Sequence, residues 1–403
     1  MATFDFDVLL KNRKPPVTNE EWEIVRAATQ TLFKPKTPID DDKLFAGRIK
    51  QINDILDAVY EDGGHAIIFG ERGVGKTSLS KIVEKKVATV IRALRVVPVS
   101  CGKTDDFYTI WGNAFNDFNV AGGDVGDFFR EKNNPYKVYN ALQELDTSKY
   151  HIFIFDEFDR IEDKGTLGLM ADLMKHFSNH PINVTVIVVG VGETLVDLFG
   201  SHESIARCCS QIKMPRMSEK ELEEIISERL ARIGFTIEKT VMVRTRRLSQ
   251  GLPGYMHLLG QLMLKNAIQR RSTRLETADF DTALSQALEK ADYSAKQAYH
   301  MATKSPRKDN RYKEVLLACA MAKADEFGQF YAGDIREPYS RIRGRKMEIT
   351  NFSTNLSNLC APERGPALIK SGERKRYQYR FANPLVQPLT IMQGIADGML
   401  KDG

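Results

Sequence analysis

Eight consecutive residues, Gly70-Glu71-Arg72-Gly73-Val74-Gly75-Lys76-Thr77, carry chemistry that the rest of the chain has to serve. They match the pattern G-x-x-x-x-G-K-[ST] at every position. Glycines at 70, 73 and 75 admit backbone conformations that a side chain blocks, so successive N–H groups converge on phosphate oxygens. Lys76 adds a point charge for the β- and γ-phosphates of a nucleotide, and the Thr77 hydroxyl is a hard donor for Mg²⁺. Glu71, Arg72, Val74 and Ser78 join them as nucleotide contacts. A second cluster closes the apolar run His151-Ile152-Phe153-Ile154-Phe155 with Asp156-Glu157. Asp156 there holds the Mg²⁺ shell through water, and Glu157 polarises an attacking water as general base. An apolar strand ending in two acids says little alone; downstream of the glycine loop, it supplies the second half of an ATP-hydrolysing site.

The flanking residues must place these groups. His65–Phe69 reads as a buried strand entering the loop, and Thr77–Val83 as the helix leaving it, with Leu79, Ile82 and Val83 on one face. That helix directs the positive end of its dipole at the same anion. Leu94–Cys101, His151–Phe155, Val184–Gly190 and the short Gln211–Met214 are further strands. Between the second and third come an aromatic helical stretch (Phe107, Tyr108, Trp111, Phe115) and a loop at Gly122-Gly123. Near-continuous apolar strands alternating with helices predict a parallel sheet covered on both faces, with ligands at the strands' carboxyl ends. Upstream, Leu44-Phe45-Ala46-Gly47-Arg48 precedes an amphipathic helix with Ile49, Ile52, Ile55, Leu56 and Val59 on one side, ended by Gly63-Gly64. Residues 1–42 form an extension with a helix over Asn19–Leu32, packed on the core or reaching a neighbouring subunit; the residues leave both open.

Beyond Pro215 the pattern is helical. Ser218-Glu219-Lys220-Glu221 is a capping box opening a helix with Leu222, Ile225, Ile226 and Leu230. Gly251-Leu252-Pro253-Gly254 interrupts before Tyr255–Ile268, and Thr277 caps another helix through Leu288. Residues 301–310 read as a polar linker. Three helices follow, carrying Val315–Met321, Ala332–Ile342 and Ile349–Leu359. A hairpin then joins Ala367–Lys370 to Tyr377–Phe381. The predicted domains are 1–42, an ATPase core over 43–217, a helical lid over 218–300 and a winged-helix-like domain over 301–403.

At 403 residues, with 42% hydrophobic and 28% charged, the chain has the balance of a soluble globular protein of two or three domains. It has no apolar run of membrane-spanning length, and Met1–Asp7 lacks the regions of a secretory signal. Cys101, Cys208, Cys209, Cys319 and Cys360 follow neither a disulfide framework nor a zinc spacing, and read as buried thiols in the cytoplasm. Residues 301–380 hold 17 Lys/Arg against 9 Asp/Glu, a surplus of 8 in a chain of net charge +5. Such asymmetry suits a polyanionic partner or a solvated basic face.

As a set, the motifs resemble the Orc1/Cdc6-like branch of the AAA+ ATPases and the related STAND signalling ATPases. They are most similar to bacterial single-chain ATP-binding proteins with an Orc1-like AAA domain and a C-terminal winged helix. The resemblance spans roughly residues 40–395. It rests on Phe45-Ala46-Gly47-Arg48, Gly70–Thr77, Phe155-Asp156-Glu157-Phe158-Asp159, Ser204-Ile205-Ala206-Arg207, Met214-Pro215-Arg216-Met217-Ser218 and Gly251-Leu252-Pro253. It implies an α/β fold: a P-loop NTPase core of the AAA+/ASCE type, a helical lid and a C-terminal winged helix. It places Leu44, Phe45, Gly47 and Arg48 by the adenine and Pro253 near the nucleotide. Arg207 stands where the family keeps an arginine finger for a neighbour's ATP, with Arg216 as a competing candidate.

The resemblance implies an ATP- and Mg²⁺-dependent switch. Closure of the lid exposes a surface for homo-oligomerisation, Arg207 completes a neighbour's site, and hydrolysis at Glu157 resets it. The output is DNA or a separately encoded effector or partner protein, as in bacterial stress or antiviral systems. Arg341, Arg343, Arg345 and Lys346 before the third helix, and Arg374, Lys375 and Arg376 in the hairpin, lie where a winged helix meets phosphates. The alternatives are a DNA-binding loader or transposition-type regulator, and an adaptor holding nucleotide structurally. No fused effector domain is expected.

Two departures bear on rate. Val189-Gly190-Val191-Gly192-Glu193-Thr194 has no Asn at the fourth strand's end, only Thr194, and the lid's sensor arginine gives way to Gly251-Leu252-Pro253, similar to the Gly-x-Pro motif of STAND proteins. Each lost γ-phosphate contact costs about one to three orders of magnitude in turnover. Partner-free protein should therefore hydrolyse ATP slowly; steady-state phosphate release at several turnovers per second would contradict this.

Overall fold

The computed structural model describes residues 14–41, 44–91, 93–116, 118, 135–144, 148–192, 194–200, 203–305, 311–373 and 376–400. Gly122-Gly123 lies outside them. The chain divides into two compact units: Pro38–Glu71 with Gly75–Pro215, and the residues up to Thr37 with Arg72–Val74 and those from Arg216 on.

In chain order, helix α1 (Asn19–Leu32) belongs to the second unit. The first runs α2 (Ile49–Tyr60), β1 (His65–Gly70), α3 (Lys76–Val90), β2 (Leu94–Ser100), α4 (Phe107–Phe115), α5 (Tyr136–Gln143), β3 (Tyr150–Asp156), α6 (Lys164–Asn179), β4 (Val184–Val191), α7 (Leu195–Phe199) and β5 (Cys209–Met214). The strands lie in the order β2-β3-β4-β1-β5, each neighbour parallel. β1 is buried along its whole length, as an apolar strand covered on both faces must be. β4 lies between β1 and β3, so the phosphate loop and the paired acids leave the sheet on either side of it. The aromatics of α4 are core: Trp111 packs on Phe155 and Phe153 with ring centroids 4.9 and 5.2 Å apart. They seat β3, and hence the acids at its end. In α2 the seam facing β1 and β5 is Ile52, Ile55 and Val59, while Leu56 is half-buried. The expected Ile49 is the helix's first residue, lies outside that seam and is 72% exposed.

The second unit continues with α8 (Glu219–Arg232), β6 (Thr236–Ile237), α9 (Lys239–Ser249), α10 (Pro253–Gln269), β7 (Arg274–Leu275), α11 (Thr277–Lys290), α12 (Tyr293–Thr303), α13 (Tyr312–Ala320), β8 (Phe330–Tyr331), α14 (Arg336–Arg343), α15 (Ser353–Leu359), β9 (Leu368–Ser371), β10 (Gln378–Phe381) and α16 (Val386–Ala396). Ser218 and Glu221 form the capping box that opens α8. Thr277 is the first residue of α11 and not its cap; Glu276 precedes it, its N–H held by Asp279 Oδ2 at 2.9 Å. Residues 301–303 finish α12 and are not linker. In the small antiparallel sheet β10 lies between β8 and β9.

α10 is buried almost all round because α1, α8, α9 and α11 pack against it. The N-terminal extension therefore covers the helical unit. Backbone groups at its end are taken up by buried side chains. Arg229 Nε donates to Leu32 O (2.7 Å), Gln261 Nε2 to Phe33 O (2.9 Å), and Lys34 N–H donates to His257 Nδ1 (3.4 Å).

His65, sealed at the start of β1, accepts from Val186 N–H through Nδ1 at 3.0 Å, and burial holds its pKa down at about 4. An unfolded histidine takes its proton near 6.5, so below that pH the folded state binds fewer protons and loses stability as pH falls. Urea titrations at about pH 7 and about pH 5 should differ by roughly 2 kcal/mol from this group, and His65→Gln should reduce the total difference by about that amount, leaving the share of the buried His257.

Candidate nucleotide-binding site

At Gly70 the chain leaves β1 against its neighbour β5, where Gly70 pairs with Met214. A Cβ at Gly70 would come within 2.4 Å of Met214 O, so only glycine lets the loop start there. Gly75, in the left-handed region at φ 99°, opens α3. Lys76 follows and is buried, its Nζ donating to Gly70 O at 2.9 Å and to Glu71 O at 2.8 Å. Burial lowers its pKa to about 8, while the charges of Asp159, Asp156 and Glu71 pull it back up. Thr77 and Ser78 are half-buried, and Ser78 Oγ accepts from Ile39 N–H (3.0 Å), fastening that segment to α3. Phe45 is half-buried. Gly47 and Arg48 both adopt left-handed backbone (φ 64° and 61°), and the buried Arg48 donates from Nη2 to Pro215 O at 2.7 Å.

Asp156 is half-buried at the end of β3. Glu157, at φ 57°, gives its N–H to Asp156 Oδ1 (2.8 Å), and its Oε2 meets Arg160 Nη1 at 2.6 Å. Asp159 Oδ1 accepts from Val191 N–H at 2.7 Å, which binds the turn after β3 to the end of β4. Sequence reasoning assigned no role to Asp159 or Arg160. The signal for Asp159 was a third acid within the motif already noted; for Arg160 it was a cation three residues beyond the candidate base.

The structure thus brings Lys76 under the influence of Asp156 and Asp159, within a unit that also holds Phe45, Gly47, Arg48, Gly70, Glu71, Gly75, Thr77, Ser78 and Glu157. Arg72, Gly73, Val74 and Pro253 belong to the other unit, Pro253 as the first residue of α10. Thr194 is exposed, its N–H on Asp197 Oδ2 (2.9 Å); Glu193 lies outside the described residues. Arg207 ends the 3-10 turn Glu203–Arg207 and is exposed. Arg216 donates from Nη1 to Gln250 O (3.1 Å) and Gln387 Oε1 (2.7 Å). Among the C-terminal basic residues, Arg341 pairs with Glu337, Arg343 with Glu314 (2.9 Å) and Lys346 with Glu348 (3.6 Å). Arg345 and Arg376 are exposed, and Arg374 and Lys375 lie outside the described residues.

A family model described as Novel STAND NTPase 1 matches residues 37–329. The chain belongs to that family. This STAND NTPase is also similar to an ORC1-type DNA replication protein of Thermoplasma volcanium, 24% identical over 314 residues, which are 74% of each chain. It is 22% identical over 188 residues to ORC1-type DNA replication protein 9 of Halobacterium salinarum, covering 45% of this chain and 49% of that one. Among solved structures, the Walker-type ATPase PABY2304 of Pyrococcus abyssi shares the fold at TM-score 0.53 and 16% identity, over 89% of this chain and 99% of that one. The Orc1-like AAA+ reading and the α/β P-loop core therefore hold for this STAND NTPase. Among the described residues no helix is long and apolar enough to cross a membrane.

The donor set fits a magnesium nucleotide. Thr77 and Asp156 offer hard oxygens, and Lys76 is a desolvated cation that donates to two carbonyl dipoles. A bound polyphosphate must raise the Lys76 pKa from about 8, so the protein takes up protons on binding. Calorimetric titration with ATP at about pH 8.5, in buffers of different ionisation enthalpy, should show uptake of roughly half a proton or more, absent in Lys76→Met.

Proposed function

We propose that this STAND NTPase is a slowly hydrolysing ATP switch whose nucleotide state controls self-association and engagement of a partner. The observation that carries this reading is the buried Lys76 ammonium beside Asp156 and Asp159, at the mouth of a glycine loop. Backbone N–H groups of the loop and Lys76 bind the β- and γ-phosphates. Thr77 and Asp156 hold Mg²⁺, which when bound neutralises phosphate charge. Glu157 orients the attacking water and takes its proton. Phe45, Gly47 and Arg48 serve the base and sugar side, Pro253 is a further nucleotide contact, and Glu71, Arg72, Val74 and Ser78 shape the loop.

Slow turnover fits the geometry of the base. Arg160 holds the Glu157 carboxylate in an ion pair that must open before the base can take water. Arg207 is exposed and free of the fold's core, as a residue serving a neighbour's site has to be. Helices α13–α15 with the β8-β10-β9 sheet suit a winged helix. Its exposed α15 positions Ser353, Thr354 and Ser357 are uncharged, and Arg341 and Arg343 are engaged by carboxylates of the same unit. This favours a separately encoded protein partner; a cytoplasmic stress or antiviral role rests on the family resemblance alone. The second reading, a DNA-binding loader or regulator, is favoured by exposed Arg345, Lys346 and Arg376 and by the ORC1-type relatives.

Light scattering after size exclusion of Glu157→Gln protein, with no nucleotide, ADP or ATP–Mg²⁺ and with or without duplex DNA, tests both. Assembly with ATP alone, lost in Arg207→Ala, is expected; assembly only on DNA would promote the second reading, and no change in any condition would remove both. Arg160→Ala should raise basal hydrolysis by no more than about fivefold, because an exposed pair is worth about 1 kcal/mol or less.

A further inference from the structure

Arg216 is the first residue of the helical unit after Pro215, and it is anchored at every level. Its N–H donates to Glu326 O (2.8 Å), and the next N–H, from Met217, donates to Gly251 O (3.0 Å). Its guanidinium Nη1 donates to Gln250 O (3.1 Å) and Gln387 Oε1 (2.7 Å). Gln387 is fully buried, and its Nε2 donates to Gln250 Oε1 (3.0 Å) and Ala320 O (2.9 Å). Two glycines make room for the arginine. A Cβ on Gly251 would lie 2.6 Å from Arg216 Cβ, and one on Gly328 2.2 Å from Arg216 Nη2.

The turn so gripped is strained. Gln250 (φ 52°) and Gly251 (φ 82°) are successive left-handed residues leading into Leu252-Pro253. A non-glycine residue held there costs about 1 kcal/mol or more and persists only when its surroundings over-determine it. Gly73, which clusters with this unit, lies against the same elements. A Cβ there would find Leu385 at 3.3 Å and Leu252 at 3.9 Å. Leu385 precedes Gln387 by two residues, and its carbonyl accepts from Tyr255 Oη–H at 2.8 Å. Arg216, the Gly251-Leu252-Pro253 turn, Gly73 of the phosphate loop and α16 are therefore one connected set.

We propose that Arg216 is a positioning residue for nucleotide binding: it fixes the Gly251–Pro253 turn and, through Gln387, makes that turn and α16 respond together to the nucleotide. The proposal rests on the nucleotide reading above. The planar guanidinium meets two acceptors from different elements in a fixed arrangement, which a lysine ammonium does not reproduce.

The test uses the full chain as Arg216→Lys, Arg216→Ala, Gln387→Ala and the Ala/Ala double variant, with Lys76→Met as reference. The readouts are affinity for a fluorescent ATP analogue and amide exchange over residues 249–255 and 386–396. Arg216→Ala and Gln387→Ala should each weaken binding by about tenfold, with Arg216→Lys between them and wild type. The double variant should lose no more than the worse single, because the two act through one network. Each should speed exchange in both segments, whereas Lys76→Met should weaken binding without doing so. Unchanged affinity in a folded Arg216→Ala protein, losses that multiply in the double variant, or faster exchange confined to 249–255 would each overturn the proposal. If the wild type binds no analogue at all, the nucleotide reading itself fails; if it binds and the variants bind equally, only the role of Arg216 fails.

Discussion

A positive charge kept almost out of water organises the sheet unit. Holding the Lys76 pKa near 8 corresponds to about 3 kcal/mol of disfavoured charging. That is what remains after the field of nearby acids has offset part of the cost of burial, with two loop carbonyls accepting from the ammonium. Gly70, whose carbonyl is one of the two, passes β5 at a place where a Cβ would meet Met214 O at 2.4 Å. The acids sit at the right end of the sheet because parallel strands align their carboxyl termini. Buried and half-satisfied, the ammonium is prepared for an anion that brings more charge than the protein itself supplies.

The strand between the two motifs is part of the same arrangement. Asp159 takes the N–H of Val191, so the end of β4 cannot shift without disturbing the turn that carries Glu157. That turn is already constrained by the left-handed backbone at Glu157 and its ion pair with Arg160. The end of the fourth strand is thus tied to the turn that carries the acids through a backbone donor.

What was legible in the sequence was what depends on local pattern. The bounds of α1, the strand and helix flanking the glycine loop, and the acids after Phe155 follow from periodicity, capping residues and motif spacing. Residues that act through distant partners were not legible. Nothing local in Arg216 distinguishes a finger from a half-buried residue held among Gln250, Gln387 and two glycines. Nothing in Asn19–Leu32 says that its carbonyl end is awaited by Arg229. Ile49 had the right spacing for the α2 seam but stands at the helix's first position, where periodicity cannot tell packing from overhang. α16 went unread because it is buried nearly all round and carries no amphipathic contrast.

The placement of α1 sets an order of events when the chain is made. Trp22, Val25 and Leu32 are shielded by a unit whose other helices all lie beyond Arg216, with the whole sheet unit between them in the chain. On a ribosome the first helix emerges long before Arg229 and α10 exist to receive it. Its apolar face must wait exposed, or under a chaperone, until the sheet unit has been synthesised. The helical unit is thus the last to close, and it cannot close before α8 to α11, among which α1 packs, have been translated.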